Sequence, residues 1–396
     1  MLKSSRALFL GDIARPGGRS WSTSEEFPVI LRTSTWRFLS ACLLSCLLCG
    51  GFIEAKASPP LGDISVRFEL QHAIDLALNR LGSLQRASGG WGNDTNSLHE
   101  LTAWVLLSAA GDPEHRDRSE SGFKVSRALG LLAGGARTST GLLIGTHPVR
   151  ATAASLVAFR THLTASHEES ARNLYEALVR SVSSGGGWNS GDPNRGPGAD
   201  IGSTTMALRA LYLRGETFGN AGAKSTNANA SAAAIKAREF LLRCQSFPVD
   251  GTDSKTKASY RSPEPVAPGS SRFLETCEAI LGLLYSGMSP GDPQIVSALD
   301  WIADHYGELQ ASSAKEVNTY RLYYTFASVM SVLRVDVLND TAKRRLDWRY
   351  DVVRRLSNLQ ETNGEWGPSA GTETERVWCT AYATLALEIA FNALDH

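Results

Sequence analysis

The chain has 396 residues, of which 42% are hydrophobic and 20% charged, a balance that lets it bury a large core. Forty basic and forty acidic side chains cancel to a formal charge of +0, which argues against a nucleic-acid or polyanion partner. Two or three average domains would fit this length, but α-barrels run past roughly 250 residues as one unit.

The first 57 residues read as a leader. Arg32 and Arg37 precede an apolar run over 38–49, continued through 50–53, and Ala55-Lys56-Ala57 closes it with a small-x-small pattern. A basic flank, a short apolar core and that ending are the marks of a secretory signal peptide. The expectation is export, to a periplasm or the extracellular space. The run falls short of the about 20 residues of a membrane span. An uncleaved short anchor is the alternative, and the leader is the one membrane contact expected. Leu43-Leu44-Ser45-Cys46 also resembles a lipoprotein acceptor site, and the residues ahead of Arg32 fit a translation start placed too far upstream. Beyond the leader three cysteines remain, Cys244, Cys277 and Cys379, an odd, widely spaced set that makes no disulfide framework.

Residues 58–396 carry a repeat. Thr102, Thr152, Thr204, Thr276, Thr325 and Thr380 each open a segment with small residues at plus three and plus six and a bulky one at plus four. Val105 and Thr384 are the departures. Successive threonines are 50, 52, 72, 49 and 55 residues apart, by subtraction. Small residues three apart share a helical face and let a neighbouring helix approach closely. These segments, apolar nearly all round, read as buried helices. More amphipathic helices precede most of them, over 66–85, 170–184, 232–245, 293–306 and 342–360, with a less distinct one near 119–132. The predicted fold is all-α: a single (α/α)6 barrel, or toroid, of six helical hairpins. An open solenoid is the rival, but the last buried helix is as apolar as the middle ones, which favours closure. The long fourth gap is a loop insertion at 245–272, where Pro248, Gly251, Pro263, Pro265, Pro268 and Gly269 exclude regular helix. The stretch 215–231, rich in Gly, Asn, Ala and Ser, reads as a second loop.

Two turns sharpen the picture. Residues 85–91 (Gln85, Gly89, Trp91) and 360–366 (Gln360, Gly364, Trp366) both fit Gln-x-x-x-Gly-x-Trp, and Gly186 with Trp188 makes a weaker copy. Gln is expected to cap the outer helix, Gly to allow a left-handed turn, and Trp to stack over the neighbouring outer helix. This spacing resembles the Gln-Trp repeat of squalene and triterpene cyclases. Over about 65–394 the chain resembles the superfamily of terpenoid cyclases and protein prenyltransferase β-subunits, which implies a six-hairpin toroid. The stretches 318–324 and 376–381 resemble the end of bacterial squalene-cyclase-like domains of uncertain activity.

The family's chemistry is not found intact. Triterpene cyclases protonate an alkene with an Asp-x-Asp-Asp motif; the nearest match keeps only Asp200, followed by Gly202 and Ser203. Prenyltransferases hold zinc with an Asp-x-Cys pair and a later His. Glu275-Thr276-Cys277 echoes the pair, and Cys379 occupies the place of the His, but two repeats away. Cys277 and Cys379 are weak metal candidates and read better as buried structural cysteines; neither a metal nor another cofactor is expected. Weak catalytic candidates are Asp200, Glu275 and His99, the last beside Glu100. In a closed barrel the residues just ahead of the threonines converge on one mouth: Glu100, Arg150, Tyr320, Arg321, Tyr323, Tyr324, Arg376 and Trp378 are the ligand-binding candidates. Charge mixed with aromatics suits a ligand with a polar head, or a sugar chain. The function expected is an exported barrel that binds an isoprenoid, lipid or glycan without full cyclase activity. A terpenoid-cyclase-like or polysaccharide-cleaving enzyme, and a protein-interaction scaffold, are the alternatives.

Overall fold

Amphipathic and buried helices alternate through a computed structural model that describes residues 61–110, 124–162, 165–191, 198–213, 227–246, 257–263, 271–312, 316–340 and 342–394. Arg67–His396 belong to one compact unit; of a second, Ala14–Val66, the described part is the opening of the first helix. The leader and most of the 245–272 insertion lie outside the described residues.

The buried helices are α2 (Leu98–Ser108), α4 (Pro148–Thr161), α6 (Ile201–Leu213), α8 (Arg272–Tyr285), α11 (Val317–Leu333) and α13 (Glu373–Ala393). Between them lie the more polar α1 (Leu61–Ser83), α3 (Val125–Gly134), α5 (Glu168–Arg180), α7 (Ala228–Arg243), α9 (Pro293–Asp304), the short α10 (Tyr306–Ala311) and α12 (Trp348–Leu359). Contacts among the buried helices make a circuit: α2 meets α4, α4 meets α6, α6 meets α8, α8 meets α11, α11 meets α13, and α13 returns to α2. The small residues of the repeat permit this approach, and most of them are fully buried, as with Ala158, Ala207, Ala279, Ala383 and Ala386.

The repeat threonine has a second task. Thr152, Thr204, Thr276 and Thr380 accept, through Oγ1, the backbone N–H of Leu143, Trp188, Tyr260 and Trp366 at 2.9, 2.9, 3.0 and 3.1 Å. Each bond pins the preceding turn to the start of its buried helix. The tryptophans tie the same turns the other way. Indole Nε1 of Trp91, Trp188 and Trp366 donates to the carbonyls of Leu81, Leu178 and Leu356 at 2.6, 2.8 and 2.8 Å, near the ends of α1, α5 and α12. The indole is thus tied by a hydrogen bond to the helix the tryptophan follows.

Glutamine reaches the neighbour instead. Gln85 Nε2 donates to the Lys124 carbonyl at 3.2 Å and its Oε1 accepts from Lys124 N at 2.6 Å, so it caps the entry to α3 rather than the end of α1. Gln360 Nε2 likewise donates to the Ala73 carbonyl of α1 at 2.9 Å, linking the last turn to the first helix. Gly364 explains the third motif position. Its φ is +89°, and a Cβ there would lie 2.6 Å from the Leu76 carbonyl oxygen of α1.

Four boundaries differ from the sequence expectation. Helix α12 begins at Trp348, not near 342, because Arg345–Asp347 pairs antiparallel with Val337–Asn339 and Asp347 then caps Arg349 N at 3.2 Å. The fifth outer helix, α9, ends at Asp304, and α10 follows as a separate turn. Asn227 caps α7 by accepting from Asn229 N and Ala230 N, so 228–231 are helix rather than loop. Within the insertion Gln245–Ser246 pairs antiparallel with Ser259–Tyr260. No described helix is long and apolar enough to cross a membrane.

Gly364→Ala should therefore destabilise the fold by more than about 1 kcal/mol, since both its φ and its contact with α1 forbid a side chain. In a thermal melt that is a fall of at least about 2 °C. Gly130→Ala, in α3 where a Cβ meets nothing within 4 Å, should leave the melt unchanged or raise it; equal losses in both variants would refute the role given to the turn.

Candidate functional site

The buried helices surround a cavity of about 410 Å³, its open side included. All six supply its wall: Trp104 from α2, Arg150 from α4, Gly202, Thr205, Met206 and Arg209 from α6, Glu278, Leu281 and Tyr285 from α8, Arg321, Tyr324 and Thr325 from α11, and Tyr382 from α13.

One part of the wall is aromatic. The Trp104 ring lies 5.0 Å from Tyr382 and 5.3 Å from Tyr324, the latter edge-on, while Tyr324 and Tyr382 stack at 5.9 Å. Trp378, one turn before Tyr382 on α13, stacks on it at 5.6 Å and is half-buried. The Trp104 indole N–H is buried and has no hydrogen-bond partner among the described residues.

The other part is charged. Arg150 Nε lies 2.9 Å from Glu100, whose second oxygen is 3.3 Å from His147 Nδ1. Burial pushes the Glu100 carboxyl up, but Arg150 and His147 outweigh it and hold the group at about 2. Burial works against the Arg150 charge as well, and Glu100 together with Tyr382, Glu278 and Asp200 more than offsets it. Arg321 pairs with Glu278. A Cβ on Gly202 would come 2.7 Å from the Arg321 guanidinium and 3.0 Å from Glu278, so this pair rests against the bare backbone of α6. Arg209 donates to the Tyr324 hydroxyl, with its guanidinium carbon 6.0 Å from the ring centre. Burial raises the Tyr285 phenol to about 12.

Of the residues singled out in the sequence, Arg150, Arg321 and Tyr324 line the cavity, and Glu100 and Trp378 contact its wall through Arg150 and Tyr382. Tyr320 and Tyr323 do not line it. Arg321, Tyr324 and Thr325 share one face of α11, and position 323 turns away from it by the helical period, while Tyr320 lies one turn before Tyr324. Tyr323 instead donates to the Leu309 carbonyl at 3.0 Å, and Tyr320 lies beside Gly367 and Cys379. Arg376 donates to the Gly371 carbonyl at 2.6 Å and lies 3.5 Å from Glu365, bracing the turn before α13.

The catalytic candidates are occupied structurally. Asp200 caps α6, accepting from Ser203 N at 2.8 Å and Ser190 N at 2.9 Å. Glu275 is buried with its carboxyl pushed up by burial and by Glu278, against a bond to Ser262. His99 Nδ1 lies 3.1 Å from the Ile144 carbonyl, apart from Glu100, and burial lowers its pKa. Burial raises the thiols of Cys277 and Cys379, the latter to about 12. Among the described residues no group of three His, Cys, Asp or Glu is spaced to hold a metal ion. The wall residues not singled out in the sequence include Trp104, Arg209, Glu278 and Tyr382. Arg209 and Glu278 carried a signal, as charges inside otherwise apolar buried helices.

Solved structures share this fold. A variant of the type II terpene cyclase MstE from Scytonema, in complex with geranylgeranyl dihydroxybenzoate, matches with a TM-score of 0.53 at 15% identity over 83% of this chain and 99% of that one. The fold is that of a type II terpene cyclase. A product-bound variant of that cyclase, in complex with merosterolic acid A, matches with a TM-score of 0.55 at 16% identity, covering 83% of this chain and 99% of that one. No protein-family model matches the chain, and no curated protein matches it in sequence. At this identity the likeness concerns the fold.

The Glu100–Arg150 pair has a pH signature. With a folded pKa of about 2 against 4.5 for the free side chain, Glu100 stabilises the fold above pH 4.5, and the contribution fades as pH falls toward 2. Its size is roughly 3 kcal/mol. Urea unfolding at pH 7 should show Glu100→Gln less stable by about that amount, and the gap to the unmodified protein should close between pH 4.5 and 2. A gap independent of pH would contradict the pairing.

Proposed function

We propose that the six hairpins close an (α/α)6 toroid whose central cavity binds an isoprenoid ligand, in a protein exported after removal of its leader. The observation that carries the reading is the wall itself: an aromatic trio with Met206 and Leu281 for a hydrocarbon body, beside fixed charges for a polar end. Apolar pockets with few convergent polar groups are where small ligands bind. The structural neighbours' prenyl substrate and product add to it. Lipids with comparable tails fit the same wall. A glycan is less well served, because the one carboxylate among the described wall residues, Glu278, is engaged by Arg321.

Binding, rather than acid-initiated cyclisation, is the role we assign. Alkene protonation needs a carboxylic acid that carries its proton and faces the substrate. Glu100 is held ionised by Arg150, Glu278 is bound in its ion pair, Asp200 is consumed as a helix cap, and Glu275, whose carboxyl burial pushes up, does not line the cavity.

Native mass spectrometry of the protein purified from its own host tests binding and export together. The expected result is a polypeptide beginning at Ser58 with an isoprenoid bound at one per chain. Titration with geranylgeranyl dihydroxybenzoate, followed by tryptophan fluorescence, should show saturable binding that Tyr382→Ala weakens about tenfold. No binding, or binding indifferent to Tyr382, would count against the cavity.

A further inference from the structure

We propose that the cavity selects isoprenoids carrying an uncharged oxygen, a hydroxyl, ether or carbonyl, over pure hydrocarbons and over anions, and that the Trp104 indole N–H receives that oxygen. The inference rests on the cavity reading and adds the chemistry of the ligand that the wall accepts.

Most polar groups of the wall are already engaged by the protein. Arg150 pairs with Glu100, and Arg321 with Glu278. Arg209 bonds the Tyr324 hydroxyl and is engaged elsewhere as well. The hydroxyls of Thr205 and Thr325 donate to the carbonyls of Glu278 and Arg321, each at 2.8 Å. The Trp104 N–H is not so engaged. The residue is 3% exposed and lines the cavity, and its Nε1 has no hydrogen-bond partner among the described residues.

The indole is also held in place. Tyr382 lies against its ring at 5.0 Å and Tyr324 meets it edge-on at 5.3 Å, so the N–H is not free to swing toward another acceptor. Buried donors almost always find a partner, and leaving one unmatched is costly; a ligand oxygen on this wall removes that cost. An indole N–H donates and never accepts, so the matching atom must be an acceptor, which a hydrocarbon lacks. It is a neutral donor as well. A carboxylate or phosphate would give up its hydration for one such bond, and would reach Arg150 or Arg321 only by displacing Glu100 or Glu278. Met206 and Leu281 on the same wall take the hydrocarbon body.

The test is equilibrium competition on the full chain among four probes with one tail: geranylgeraniol, its methyl ether, the hydrocarbon in which hydrogen replaces the hydroxyl, and geranylgeranoic acid. Each dissociation constant is referred to the measured free concentration. The alcohol and the ether should bind about tenfold tighter than the hydrocarbon, and the ionised acid should bind less tightly than either. Trp104→Phe, which keeps a ring but removes the N–H, should bring the ether-to-hydrocarbon ratio near one. Leu281→Ala should weaken the probes alike and leave that ratio in place. If Trp104→Phe does not fold, proton–nitrogen NMR of the unmodified protein carries the test: one indole N–H signal should move downfield with the ether and stay in place with the hydrocarbon. Equal binding of ether and hydrocarbon by the unmodified protein, or a ratio untouched by Trp104→Phe, overturns the oxygen assignment and leaves the isoprenoid cavity standing. Tightest binding by the acid overturns the choice of an uncharged group. If no probe binds, the cavity reading fails and the oxygen assignment falls with it.

Discussion

In the sixth hairpin one residue is held from two sides: the Trp366 backbone N–H donates to Thr380 at the start of a buried helix, and its indole donates to Leu356 near the end of the outer one. Trp188 repeats both bonds with Thr204 and Leu178. Removing either partner would strand a buried donor, at about 1–3 kcal/mol each. In these two hairpins the clasp fixes how far the buried helix projects past its outer partner, and therefore which of its turns faces the centre. Arg209 and Tyr382 reach the cavity because Thr204 and Thr380, five and two residues earlier, are pinned. In the first and last turns the glutamine of the motif joins the turn to the next outer helix, Gln85 at the entry to α3 and Gln360 back to α1.

On that frame the centre carries charge that an all-apolar core would not hold. Two ion pairs, Glu100–Arg150 and Glu278–Arg321, sit where burial penalises each member alone. Such pairs are weak evidence for stability, because well-packed hydrophobic residues often do as well. Their place on the wall of a cavity is consistent with a role toward a ligand. The ring of six helices satisfies the backbone internally, so the side chains are left to shape the site.

The helical repeat is legible in the sequence because close helix packing demands small residues at fixed spacing, and because the threonine, glycine and tryptophan of the turns each answer a backbone need. The partners of those side chains are not legible. Gln85 and Gln360 bond across to the next outer helix, a contact set by tertiary closure rather than local spacing. The same limit applies at the site. Residues ahead of each threonine group together in the sequence, but the helical period turns Tyr323 away from the cavity that Arg321 and Tyr324 face, and Tyr320, one turn before Tyr324, lies beside Gly367 and Cys379 instead. Trp104, Glu278 and Tyr382 lie two residues past their threonines, and Arg209 five past, deeper than a search of helix starts reaches. The short strand pair that delays α12 to Trp348 has no periodic signature at three residues per strand.

Photo-crosslinking tests the central claim most directly. A geranylgeranyl probe with a diazirine on its tail, irradiated with the full chain and mapped by peptide mass spectrometry, should label α6 and α8 around Met206 and Leu281 and the aromatic trio of Trp104, Tyr324 and Tyr382. Excess unlabelled ligand should suppress that labelling. Labelling confined to the outer helices, or insensitive to competitor, would contradict a ligand held at the centre of the six buried helices.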